Sequence, residues 1–117
     1  MIEERARDLG RLIGQSAEYQ ALKRANELLA DNKEAVALLR EMEQLRVDAQ
    51  RMIAGGQHPT PDMEERLDTL LSKVQVQGVY QRLIVAQENF DKTMGKVNDW
   101  ILDGIEKGAA SPIIVLG

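Results

Sequence analysis

The chain has no cysteine at all. Disulfides, thiolate-held zinc and cysteine-ligated iron–sulfur clusters are therefore excluded. Aromatic residues are scarce: one Trp, one Phe and two Tyr. Any core must be built from Leu, Ile, Val, Met and Ala, the side chains that suit helix–helix seams. A single histidine, His58, leaves little material for metal or acid–base chemistry. No dense basic run exists, and the net charge is -4 with a pI near 5.0. Unspecific nucleic-acid binding needs a basic face that releases counterions, so direct nucleic-acid binding is disfavoured. No apolar run approaches the ~20 residues of a membrane span. The charged start Met1-Ile2-Glu3-Glu4-Arg5 lacks the apolar centre of a signal peptide. The expectation is a soluble, cytoplasmic protein.

What the sequence does contain is helical periodicity. With 117 residues it is one domain on length alone. The longest periodic stretch is Val76 to Ile105, with apolar residues at Val76, Val79, Leu83, Ala86, Phe90, Val97, Ile101 and Ile105. The steps are mostly three or four residues, with one double step after Phe90, the spacing of one face of an α-helix. Thirty such residues span about 45 Å. A compact domain of this length has a radius of gyration of only ~13 Å. The chain is too short to cover such a rod easily. Gly78 costs about 1 kcal/mol against Ala within a helix, and a break or kink is expected there.

Upstream, Ile2, Ala6, Leu9 and Ile13 give a short amphipathic helix that ends near Gly14-Gln15. Ser16 offers a cap to the next stripe, Tyr19, Leu22, Ala25 and Leu29. Asp31 is expected to cap the following helix, with Glu34 completing a loose capping box. That helix, Asn32–Ile53, carries Ala35, Leu38, Met42, Leu45, Ala49 and Met52 at heptad-like spacing. Gly55-Gly56-Gln57-His58-Pro59-Thr60-Pro61 is the clear loop. Thr60 with Pro61 reads as an N-cap followed by Pro at the first helical position. Met63, Leu67, Leu70 and Val74 form the stripe beyond it.

The fold expected is all-α: a bundle of four to five helices with a long C-terminal helix, self-associating. Residues 1–108 form the single helical domain and 109–117 a C-terminal tail. In the tail, Ile113-Ile114-Val115-Leu116 is either frayed chain or a short extended segment that docks.

Candidate chemistry is thin. His58 with Asp62 is a poor metal set, since stable sites need three or four ligands. Glu41, Glu43, Asp48, Asp62, Glu64, Glu65 and Asp68 alternate with Arg40, Arg46, Arg51 and Arg66. Alternation of this kind marks a solvated helix face. No residue qualifies as catalytic, metal-binding or cofactor-binding, and no cofactor is expected. The interface candidates are Leu83, Phe90, Val97, Trp100 and Ile101 on the long helix, with Met42 and Leu45 on the Asn32–Ile53 helix. For Trp100, an interface anchor and ordinary core packing are both open.

Leu9-Gly10, Ser16, Glu18-Tyr19, Asp31, Ala35 and Leu38-Leu39 make a pattern that resembles the YlbF/YmcA family of small bacterial helical proteins. The loop with Gly55 and Pro59 and the Val76 to Ile101 stretch continue the likeness, over all but the last ten or so residues. The resemblance implies an all-α cytoplasmic protein that forms a homo-oligomer, a dimer or higher. It also implies protein partners such as an endoribonuclease or a paralogous subunit. Some members of that family act on a membrane-bound endoribonuclease and so influence mRNA processing, competence, biofilm formation and sporulation. Those members hold iron–sulfur clusters through cysteines, which this chain lacks, so that role is not carried over. The reading is a non-enzymatic adaptor or regulatory protein. The alternative is an RNA-binding accessory protein using a local basic face from Arg5, Arg11, Lys23 and Arg24.

Overall fold

A computed structural model describes residues 1–110. Five helices account for nearly all of them: α1 Ile2–Gly14, α2 Ala17–Asp31, α3 Lys33–Ala54, α4 Pro61–Gln75 and α5 Gly78–Ala109. The expected all-α architecture with a long C-terminal helix is what the structure shows. At 32 residues, α5 is about 48 Å long. The Ile113–Leu116 stretch lies outside the described residues.

Local chemistry sets most boundaries. Ser16 caps α2, its Oγ accepting the Tyr19 backbone N–H at 3.2 Å. Thr60 caps α4 in the same way toward Met63, with Pro61 in the first turn. The cap of α3 departs from expectation. Asn32, not Asp31, accepts the Ala35 N–H, at 2.9 Å, while Asp31 is the last residue of α2. Both side chains carry a suitable oxygen, and the one-residue joint leaves only Asn32 extended. At the other end of α3, Gly55 follows the last helical residue and Gly56 adopts φ 81°, a left-handed turn suited to glycine. The long periodic stretch is broken: α4 stops at Gln75 and α5 starts at Gly78. Val76 and Gln77 form the joint, so Val76 is not part of the long helix.

The helices pair as two arms. α2 packs along α5, and α3 packs along α4, with lighter contact where the arms meet. In the first arm, Leu22, Ala25 and Ala86 are buried together, and Leu83 and Phe90 pack on them. The Tyr19 ring meets the Phe90 ring edge to face, with centroids 5.5 Å apart. Ala35, Leu70 and Val74 are buried in the second arm.

The assembly is long and thin. Its extents are 67 × 37 × 19 Å and its radius of gyration is 21.4 Å. A compact chain of this length would show ~13 Å. The shortest dimension leaves room for little more than two helices side by side, given interaxial spacings of 8–10 Å. A stable domain normally closes two layers around a shared core. Here each arm is one pair of helices, and much of its apolar surface has no second layer.

Candidate interaction surface

The clearest uncovered surface is the far end of α5. α2 runs antiparallel to α5, so that Ala17 and Glu18 lie beside Lys92, Thr93 and Lys96, while Leu28 lies toward Gly78. Past Lys96, α5 outruns the start of α2. Val97 is the last buried residue among those described, at 5% exposure. Every described residue after it is exposed. Trp100 is 67% exposed, Ile101 44%, and Leu102 and Ile105 61% each. Four large apolar side chains within two turns are more than the scattered apolar exposure of an ordinary surface.

α1 sits at the same end and repeats the pattern. None of its residues is buried, and Ile2 is 88% exposed. The elbow between α1 and α2 is tied by side chains. Ser16 Oγ donates to the Ile13 carbonyl at 2.6 Å, and Gln20 Nε2 donates to the Gly14 carbonyl at 2.8 Å.

A second apolar surface lies between α3 and α4. Met42, Leu45, Ala49, Met63 and Leu67 line an open groove of about 520 Å³. Glu43 and Arg46 stand at its edge as an ion pair, with Arg46 Nε donating to Glu43 Oε2 at 2.9 Å. The hydrogen bond from Arg46 holds the Glu43 carboxyl below its ordinary pKa, and the guanidinium charge adds to the effect. The same hydrogen bond raises the pKa of Arg46. Deeper along the arm, Arg66 reaches Glu41 at 3.5 Å, the one ion pair joining two helices among the described residues.

The sequence-nominated residues divide into three places. Leu83, Phe90 and Val97 belong to the packed part of the chain: Val97 is buried, and the other two lie half-buried against the α2–α5 core. Trp100 and Ile101 lie on the uncovered end of α5. Met42 and Leu45 are half-buried walls of the α3–α4 groove. The nominations did not include Leu102 and Ile105, or the α1 face. The signal was present in the α1 stripe of Ile2, Ala6, Leu9 and Ile13, but a stripe does not say whether its own chain covers it. His58 is exposed on the α3–α4 loop, and among the described residues no group of His, Asp and Glu is placed to hold a metal. Of the basic candidates, Arg11 is paired with Asp8, and Arg24 lines a depression on the α2–α5 arm. No helix among the described residues is long and apolar enough to cross a membrane.

A family described as "Control of competence regulator ComK, YlbF/YmcA" matches residues 2–106. A UPF0342 protein from Limosilactobacillus reuteri strain DSM 20016 is 28% identical over 105 residues, covering 90% of this chain and 85% of the relative. One from Streptococcus mutans serotype c is 29% identical over 83 residues, covering 71% of this chain and 74% of the relative. A solved structure described as a protein of unknown function (DUF964) from Bacillus stearothermophilus is similar in fold. Its TM-score is 0.68 at 21% identity, over 95% of this chain and 97% of that one.

Proposed function

The chain belongs to the YlbF/YmcA family, which is linked to control of the competence regulator ComK, and from that premise we propose that it is a non-enzymatic adaptor whose activity is helix-mediated protein–protein association. The observation that carries this reading is the uncovered apolar end of α5, with Trp100, Ile101, Leu102 and Ile105 exposed on a chain whose radius of gyration is 21.4 Å. Covering such side chains contributes about 25 cal/mol per Å² of apolar area. The costs of association offset part of that gain. Trp is the residue type most often found at the energetic centre of an interface. The α3–α4 groove, with its two methionines, offers a second, adaptable surface.

In this reading the protein forms a homo-oligomer, and a protein partner such as a paralogous subunit or an endoribonuclease takes the remaining apolar surface. Its place is then bacterial RNA processing or developmental regulation. An iron–sulfur role is not part of the proposal, because there are no cysteines to hold a cluster.

Trp100 is the sole tryptophan and therefore a clean reporter. Its emission is expected to shift to the blue as the protein is concentrated from nanomolar to micromolar, as water is removed from the indole. An emission maximum that stays at the water-exposed position throughout would contradict association through this end.

A further inference from the structure

We propose that the trough between α2 and α5 is a docking site for an acidic amphipathic helix of a protein partner. This deepens the adaptor reading above, on which it rests, by naming the chemistry of the segment that the partner supplies.

Small side chains make the trough. Ala21, Ala25 and Leu28 follow one another along α2 at steps of four and three residues, and Val85 and Ala86 line the α5 wall. Ala25 and Ala86 are buried, whereas Ala21, Leu28 and Val85 are exposed. Alanine on both helices leaves an open space of about 650 Å³. The α5 wall runs from Gly78 to Asn89, about 16 Å or three helical turns. Small residues at a contact let helix axes come as close as about 8 Å. A third helix laid in the trough would give this arm the second layer that it lacks.

Charge selects which helix. Arg24 stands on the α2 wall and Arg82 on the α5 wall, and no Asp or Glu lines the trough. The whole chain nevertheless has 19 acidic residues to 15 basic ones. Arg82 has no carboxylate on its own helix to pair with, because the positions three and four residues away hold Gly78, Val79, Val85 and Ala86. Glu27 is three residues from Arg24, yet among the described residues neither arginine makes an ion pair. Arg7, Arg11, Arg46 and Arg66, by contrast, are each paired.

A helix with an aliphatic stripe and a carboxylate on each flank satisfies both walls at once. Its stripe covers Leu28, Val85 and the alanines. Its carboxylates meet the two guanidiniums, whose planar fork of donors matches a pair of carboxylate oxygens. RNA fits less well, since no aromatic side chain lines the trough to stack a base.

The test uses the full chain and a dye-labelled peptide of about 18 residues, long enough to form a helix, with a leucine stripe at helical spacing and glutamate on both flanks. A second peptide carries lysine in place of every glutamate. Fluorescence anisotropy should show the glutamate peptide binding at micromolar protein and weakening as salt is added. The Arg24→Glu/Arg82→Glu variant should bind it about tenfold less tightly and take the lysine peptide instead. Arg24→Gln/Arg82→Gln stands in if circular dichroism shows the reversal variant unfolded, and should also lose affinity for the glutamate peptide. The proposal is overturned if the glutamate peptide does not bind, or binds wild type and variant equally. It is also overturned if labelled oligouridine binds in its place and is lost in the variant, or if the substitutions lower the mass of the unliganded protein in light scattering. The last result would make a second copy the occupant. A wild-type oligomer that ignores the peptide sinks the trough alone, whereas a wild-type monomer that binds it sinks self-association alone.

Discussion

Val97 and Ile101 occupy the same face of α5, one turn apart, yet Val97 is 5% exposed and Ile101 is 44% exposed. The sequence pattern does not change between them. What changes is the neighbour: α2 begins beside Lys96, and among the described residues no helix packs along α5 beyond that point. The pair therefore marks where packing on α5 stops among the described residues.

Substitutions on either side of that mark should behave differently. Phe90→Ala removes a ring that packs on Leu22, Ala25 and Ala86 and meets Tyr19. Full truncation of a buried Phe costs 3–5 kcal/mol, and for this half-buried ring about 2 kcal/mol is expected. Ile101→Asp should leave the helical signal and the unfolding midpoint of the isolated chain nearly unchanged while abolishing association. Circular dichroism melts alongside sizing at matched concentration would show both effects.

Much of the fold was readable because local chemistry fixes it. Ser16, Thr60-Pro61 and Gly55-Gly56 each end or start a helix through groups within three residues, and the structure uses them as the sequence suggests. The α3 cap shifted from Asp31 to Asn32 because two adjacent side chains offer equivalent oxygens and only the backbone at the joint decides between them. The candidate surface was only partly readable. Phe90 and Trp100 both belong to the long helix, but one packs inside the chain and the other does not. That distinction depends on where α2 begins relative to α5, which is a tertiary register and not a periodicity.

The caps give a graded test of the helix boundaries. Thr60→Ala and Asn32→Ala each remove a side-chain acceptor from a free backbone N–H. Each should lower unfolding free energy by about 1 kcal/mol in denaturant titrations. Gly56→Ala imposes a Cβ at φ 81° and should cost roughly 1–2 kcal/mol, although nothing lies within 4 Å of the added atom. His58→Ala, by contrast, should change stability little, since the residue is exposed on the same loop.

The groove-edge pair predicts a pH signature. Glu43 has its folded pKa lowered by the hydrogen bond from Arg46. The pair's contribution is therefore fully present above the unfolded value for glutamate and is lost as pH falls through the lowered folded value. Both groups are in solvent, so added salt should weaken the effect. Carboxyl chemical shifts followed by NMR should show Glu43 titrating below the ordinary glutamate value, and Arg46→Ala should move it back toward that value.

The central claim is that the apolar end of α5 finds its cover in another polypeptide. Light scattering coupled to size exclusion, at micromolar concentration, tests it most directly. The wild type should have a mass of at least twice 13.1 kDa, and Ile101→Asp should have the mass of one chain. A wild type that elutes as a single chain, with Trp100 and Ile101 left in water, would contradict the account.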